Sequence, residues 1–282
     1  MQYDPIKQRL GAFVGSRPLR RKLFYRALDL LLLRTWHVHR ALKAFAMERQ
    51  TNESCRVLDA GSGFGQYSWF MARRFPSWQI HAIDLKDDEI KTSRDFFKQA
   101  GYTQLTAEVQ DLLTFCRPDS YALILSVDVM EHIEDDRKVF RNFFESLSEG
   151  GMLLISTPSD EGGSGVHHEG ETSFIEEHVR DGYGVAEITE KLQEAGFQQI
   201  EARYTYGRPG HISWLLSMKL PIQLLGISRL FFILLPLYYL LVMPMALLLN
   251  FADLAGNHKT GTGLLVKDWK SHTAKAIKKN GT

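Results

Sequence analysis

The chain has only two cysteines in 282 residues, nine prolines and a formal net charge of +1. Cys55 and Cys116 make no disulfide framework and no metal or redox pair, which suits a reducing, cytoplasmic setting. The near-zero charge gives no whole-molecule attraction to nucleic acid or to acidic substrates. No internal repeat is visible. No secretory signal is read either, since the short apolar run Leu30–Leu33 lies too far in, between Asp29 and Arg34. What is present is a hydrophobic share of 44%, enough for a sizeable core. Charge is also segregated. The stretch from Arg17 to Arg49 and the tail from Lys267 to Lys279 are basic, and the middle from Glu131 to Glu194 is acidic.

The pattern from Pro18 to Gln50 predicts one helix, with Leu23, Leu30, Leu31, Val38, Leu42 and Phe45 among basic residues. It reads as a cover over the core or as a basic amphipathic helix on a membrane surface. From Arg56 strands and helices alternate. Strands are expected over Arg56–Ala60, Gln79–Asp84, Leu105–Val109, Tyr121–Ser126, Met152–Ser156 and Phe197–Tyr204. Helices are expected over Gln66–Phe75, Asp88–Ala100, Asp135–Leu147 and Val185–Ala195. Such alternation calls for a doubly wound, mostly parallel sheet covered on both faces. The Gly-, Ser- and His-rich loop Ser159–Gly170 reads as mobile. His37, His39, His258 and His272 read as surface groups.

The strongest local signal is Val57-Leu58-Asp59-Ala60-Gly61-Ser62-Gly63-Phe64-Gly65. Glycines at the carboxyl end of a first strand let backbone approach a ligand that a Cβ would repel. Asp84, at the end of the next strand, is placed to accept hydrogen bonds from ribose hydroxyls. A nicotinamide-binding fold is the obvious rival, but its G-x-G-x-x-G fingerprint places a pyrophosphate on a helix N-terminus. Here the spacing is G-x-G-x-G, with an acid two positions before the first glycine.

That combination resembles the class I S-adenosylmethionine-dependent methyltransferase family, whose bound nucleoside carries a sulfonium and no phosphate. The resemblance runs from about Val57 to Phe197. It continues through Val109-Gln110-Asp111-Leu112, Ser126-Val127-Asp128-Val129-Met130-Glu131-His132-Ile133, Gly150-Gly151 with Ser156-Thr157-Pro158, and Gly182-Tyr183-Gly184 with Ala195-Gly196-Phe197. It implies S-adenosylmethionine as cofactor, with Asp59, Gly61, Ser62, Gly63, Gly65, Asp84, Leu85, Asp111, Leu112 and Ser126 around it, Asp111 reading the adenine amino group. It also implies that Asp128, Glu131 and His132 face the acceptor. They serve as general base for a hydroxyl, or they shape the pocket, with His132 capping the next helix. Within the family the run resembles a D-V-x-E-H subgroup holding a divalent metal. Its ligands here would be Asp128, Glu131, His132 and His178, with His167 and His168 as alternatives to the last.

The texture changes over Ile212–Phe251, which is strongly apolar. Leu230–Phe251 carries no charge and, at 1.5 Å per residue, is long enough to cross about 30 Å of hydrocarbon. The family pattern, however, implies that the sixth strand pairs with a seventh, here Thr262–Lys267. A single crossing would separate those strands. The segment is therefore expected to return as a hairpin, Ile212–Leu225 and Leu230–Leu249, turning at Gly226–Arg229. Arg229 is costly at depth and Pro236 and Pro244 bend the second helix, so the hairpin is expected to lie in one leaflet. Trp214, Tyr238 and Tyr239 are its expected interfacial groups.

The sequence thus reads as a seven-stranded α/β methyltransferase core (53–206 plus 261–270), a basic helical extension (1–52), an apolar insertion between strands six and seven (207–260) and a basic tail (271–282). The expected activity is methylation, O-methylation above others, of a lipid or prenylated phenol or quinone precursor. The expected place is the anionic, cytoplasmic face of a membrane. A lid, a homo-oligomer interface over a soluble acceptor, and a silent cofactor-binding scaffold stand as the other readings.

Overall fold

The computed structural model describes residues 18–49, 54–162, 179–228 and 231–271. Seven strands form one sheet: β1 Arg56–Ala60, β2 Gln79–Asp84, β3 Leu105–Val109, β4 Tyr121–Val127, β5 Leu147–Pro158, β6 Glu201–Thr205 and β7 Gly263–Trp269. Their order is β3-β2-β1-β4-β5-β7-β6. The first five are parallel, and β7 runs antiparallel between β5 and β6. Apolar composition dictates which strands are central. Tyr121–Ser126 of β4 is buried on both faces, whereas the edge strand β3 alternates.

Period-two alternation sends side chains to two cores. Val57, Leu123, Leu125 and Leu154 pack with Val38, Leu42, Trp69 and Phe96 on one face. Leu58, Ile124, Leu153 and Ile155 pack with Phe140, Phe143, Ile188 and Leu192 on the other. The first face is covered by α1 Pro18–Leu31, α2 Leu33–Glu48, α3 Gln66–Arg74 and α4 Asp87–Gln99, the second by α5 Asp136–Ser146 and α6 Val185–Ala195. Helix ends obey local chemistry. Asp135 caps α5 by accepting from Lys138 N, and Gly196, in the left-handed region, ends α6.

Several boundaries depart from expectation. The single N-terminal helix breaks at Leu32, which is extended (φ −93°, ψ 109°). The break lets α1 bury Arg21 and Tyr25 while α2 buries Leu33, Val38, Leu42 and Phe45 on a different line. Strand β5 starts five residues early, at Leu147, because Leu147 pairs with Tyr121 across a register irregularity next to Gly150 and Gly151. Strand β6 starts late, at Glu201. Phe197 is spent on an edge-to-face contact with Phe144, and Gln199 N donates to the Asp268 carboxylate rather than to a strand. The histidines expected at the surface are also internal. His37 is buried and bonded to Asp253, His39 stacks on Phe70 at 3.4 Å, and His258 is largely enclosed beside Asp253. Two residues account for this: Asp253 gives His37 and His258 a buried acceptor, and Phe70 gives His39 an apolar plane. His272 lies outside the described residues.

Between β6 and β7 the insertion forms α7 Arg208–Trp214, a π-helical turn Leu215–Lys219, α8 Leu220–Ile227 and α9 Phe231–Ala255. It is the expected hairpin with longer arms. Pro221 has no N–H to offer Ser217 O, and the wide turn displaces the neighbouring carbonyl. Tyr239 OH donates to Ser217 O (2.9 Å) and Tyr238 OH to Leu216 O (2.6 Å). The two tyrosines expected at an interface therefore repair the backbone of the opposite arm.

Candidate active site

The carboxyl ends of β1, β2, β4 and β5 meet at one edge of the sheet, where the parallel topology places ligands. The glycine-rich turn is fastened to β2. Gly61 N and Ser62 N both donate to Ile83 O at 2.9 Å, and Gly63 N donates to Asp84 Oδ2 at 2.8 Å. Gly61 has φ +78°, and a Cβ there would stand 2.3 Å from Val129 Cγ2. Only glycine permits this approach.

The predicted cofactor residues fall into distinct positions. Asp84 spends one bond per oxygen, on Gly63 N and Lys86 N, so each oxygen keeps accepting capacity for a ribose hydroxyl. Asp111 forms a local turn by accepting from Leu113 N at 2.9 Å. Leu85, just past β2, is exposed, and Leu112, just past β3, is buried. Asp59 is buried beneath the turn, where Ser68 Oγ donates to it at 2.5 Å, and burial pushes its carboxyl up to about 6. Ser62 Oγ and Ser126 Oγ are buried without a partner, and such groups call for a ligand or water. An open glycine turn, unsatisfied hydroxyls and a carboxylate at the end of β2 fit a nucleoside with a cationic tail.

On the acceptor side the three predicted residues are not equivalent. Asp128 adopts φ +52° and its carboxylate is paired with the Arg34 guanidinium, reaching in from α2. Glu131 is buried, accepts from Thr157 Oγ1 at 3.1 Å, and is pushed above the usual carboxylate range chiefly by burial, against the pull of its hydrogen bonds, His132 and Arg34. His132 closes the 3-10 turn Met130–His132 rather than capping α5, whose cap is Asp135. The fourth ligand of the predicted metal set, His178, lies outside the described residues, as do His167 and His168. Among the described residues no group of three His, Cys, Asp or Glu is placed to hold an ion.

Arg34 was missed by sequence reasoning, as was the network behind it. Arg34 N donates to Tyr206 OH at 2.9 Å. Tyr206 N donates to Asp253 near the end of α9, and Asp253 also accepts from Gly210 N and bonds His37 Nε2 at 2.9 Å. The root of the apolar hairpin is thereby joined to the acceptor side of the site. One signal was available: Asp253 is an acid closing an apolar run, which predicts a buried partner.

A family model described as a methyltransferase domain matches residues 51–202, more than half of the chain. The chain belongs to that family. Its sheet order and glycine turn are those of the class I S-adenosylmethionine-dependent methyltransferases. The methyltransferase is 30% identical over 169 residues to phosphoethanolamine N-methyltransferase 1 of Arabidopsis thaliana, covering 57% of this chain and 32% of that protein. It is 34% identical over 104 residues to a ubiquinone biosynthesis O-methyltransferase of Xanthomonas euvesicatoria pv. vesicatoria, covering 36% and 42%. The chain thus spans about a third of the length of the plant relatives it matches. In fold it is similar to phosphoethanolamine N-methyltransferase 2 of Haemonchus contortus in complex with S-adenosyl-L-methionine (TM-score 0.58, 19% identity, 88% of this chain and 60% of that one).

Proposed function

We propose that this methyltransferase moves a methyl group from S-adenosylmethionine to the hydroxyl of a lipophilic acceptor, a prenylated phenol or quinone precursor or a lipid, at the cytoplasmic face of a membrane. The observation that carries the reading is the hairpin. Its long arm α9 is apolar enough to cross a membrane, yet only 6% of its most apolar window is buried. Phe232, Ile233, Leu237, Leu240, Leu241 and Leu248 all face outward. A contiguous apolar surface of this kind marks a membrane or protein interface. Because β6 and β7 pair directly, both ends of the hairpin stay on one side. Attachment is therefore monotopic or peripheral, and the basic N-terminal region and tail suit an anionic leaflet.

Bound S-adenosylmethionine supplies a methyl carbon on a sulfonium, and Asp84, Asp111, Ser62 and Ser126 are the groups that would hold it. The acceptor oxygen forms the new C–O bond as the C–S bond breaks, and the hydroxyl proton has to leave. Glu131 suits that role, because a raised pKa brings a carboxylate nearer the acceptor's own. Asp128, neutralised by Arg34, is suited instead to fixing the rim of the pocket. A divalent ion would need Asp128, Glu131 and His132 together with His178, which lies outside the described residues, and no three of the described groups are placed to hold one, so no step is routed through it and chelation tests the point. Full activity in a strong chelator supports the direct route.

The test uses the full chain with phosphatidylcholine/phosphatidylglycerol vesicles carrying a prenylated catechol, beside a short water-soluble catechol. Co-sedimentation and faster methylation of the embedded acceptor are expected. Preference for the soluble acceptor, with no sedimentation, would return the hairpin to the role of lid or dimer interface. No methylation despite tight cofactor binding would leave a scaffold.

A further inference from the structure

Helix α1 has two opposite faces with different chemistry. Arg21 and Tyr25 are its only buried residues, and both close on the glycine-rich turn. The Arg21 guanidinium donates to Phe64 O (2.8 Å), Thr92 O (2.8 Å), Ser93 Oγ (2.9 Å) and Tyr25 OH (2.7 Å). Tyr25 OH in turn donates to Phe64 O. Phe64 stands between Gly63 and Gly65, so one carbonyl of the cofactor turn is gripped by two side chains of α1. Burial pushes the Tyr25 phenol up to about 12, which keeps it a donor at any physiological pH. Ring contacts complete the seat, with Tyr25 against Trp69 and Phe96 and the Arg21 guanidinium over Phe96.

The other face points away from the protein. Leu19 and Leu23 are 71% and 56% exposed, and Leu30 is also exposed. Residues two apart on a helix differ by about 200°, so Leu19 and Leu23 lie nearly opposite Arg21 and Tyr25. Lys22 and Arg26 border these leucines. The C-terminal end of α1 is linked to the hairpin through Trp36 of α2. Trp36 Nε1 donates to Asp29 O at the end of α1, and the Trp36 ring meets Phe251 of α9 edge-on at 5.0 Å. Apart from Arg21, Tyr25 and the partly buried Phe24, α1 adds no side chain to the core, and segments with few buried contacts open locally at low free-energy cost. A second surface that holds the outer face shifts that opening equilibrium.

We propose that α1 is a clasp on the cofactor turn that the lipid surface tightens. Arg21 and Tyr25 fix Phe64 for S-adenosylmethionine while Leu19, Leu23 and Leu30 rest on the leaflet that receives the hairpin. Membrane docking therefore raises cofactor affinity. This regulation rests on the lipid-surface reading above. Because the two faces are opposite, one orientation of the helix satisfies both contacts at once. Arg21 and Tyr25 are positioning residues, acting through the turn.

The experiment titrates S-adenosylmethionine into the full chain by calorimetry, with and without phosphatidylcholine/phosphatidylglycerol vesicles, and measures co-sedimentation in parallel. Vesicles are expected to tighten the wild-type Kd about fivefold or more, the lower end of usual couplings. Leu19→Ser/Leu23→Ser is expected to keep the vesicle-free Kd and still sediment through the hairpin, but to lose the tightening. Arg21→Lys, which keeps the charge and loses the fork, is expected to raise KM for the cofactor with kcat at saturation unchanged, a split that a general loss of folded protein would not produce. Wild type that sediments while its Kd stays constant would overturn the coupling and leave the membrane reading intact. Wild type that does not sediment would overturn the membrane reading, and the coupling with it.

Discussion

Replacing Gly61 by alanine tests the geometry of the cofactor turn most directly. Two costs follow from the structure. At φ +78° an alanine sits in the left-handed region, about 1–2 kcal/mol above its ordinary conformation. Its Cβ also stands 2.3 and 2.8 Å from Val129 Cγ2 and Cγ1, an overpacking of about 1–3 kcal/mol. The sum, about 2–5 kcal/mol, is relieved by shifting the turn, and Gly63 N carries any shift to the Asp84 carboxylate. Expressed wholly in binding, that is about 30-fold to about 5,000-fold in the Kd for S-adenosylmethionine. Calorimetry measures it, with urea denaturation reporting any share taken from stability. The companion Val129→Ala removes both methyls that the new Cβ would strike. The double variant should recover the overpacking share and keep the conformational one. Wild-type affinity and stability in Gly61→Ala, or a double variant no better than the single, would refute the reasoning.

Three further expectations concern other parts of the molecule. Burial, seconded by Lys43 and Arg73, lowers His39 to about 3, and Asp29 at 3.8 Å is too far to offset this with a hydrogen bond. Below pH 6.5 the unfolded chain thus binds a proton that the folded chain refuses, so stability falls with pH, by about 2 kcal/mol at pH 5 relative to pH 8. Urea midpoints at the two pH values should converge in His39→Phe, and an unchanged acid sensitivity in that variant would count against the account. Asp253→Ala should cost about 3 kcal/mol or more, since it orphans the buried Gly210 amide, the part-buried Tyr206 amide and a bond to buried His37; a thermal midpoint within a degree of wild type would contradict this. Glu131→Gln should lower kcat by about a hundredfold or more and remove an acid limb lying above the ordinary carboxylate range. Retention of that limb would assign it to another group.

The sheet was legible because its signals are local. Glycines after an apolar strand, an acid at the end of the next, and periodicity switching from two to three or four place β1 to β4 to within one residue, while β5 begins five residues before its apolar run. The helical insertion was legible for the same reason, since an uncharged run is visible in any short window. What escaped depends on distance along the chain. Arg34 meets Asp128 across 94 positions, and Arg21 meets Phe64 across 43; nothing in either neighbourhood names the partner. The histidines were misplaced because burial of a polar ring depends on a carboxylate or aromatic plane brought by another element. His37 finds Asp253 from a distance of 216 residues.

Strand β7 lies between β5 and β6 yet is encoded after the whole hairpin. During synthesis the five parallel strands and their helices can assemble while β5 still presents a bare edge, and β6 has no neighbour to join. Unpaired edges of that kind invite association with other chains. The hairpin's apolar arms leave the ribosome within this same interval, so an early encounter with lipid would remove the chain from the pool of free, edge-exposed species. Closing the sheet is then the last act of folding, and on the proposed lipid-surface reading it takes place on a molecule already tethered.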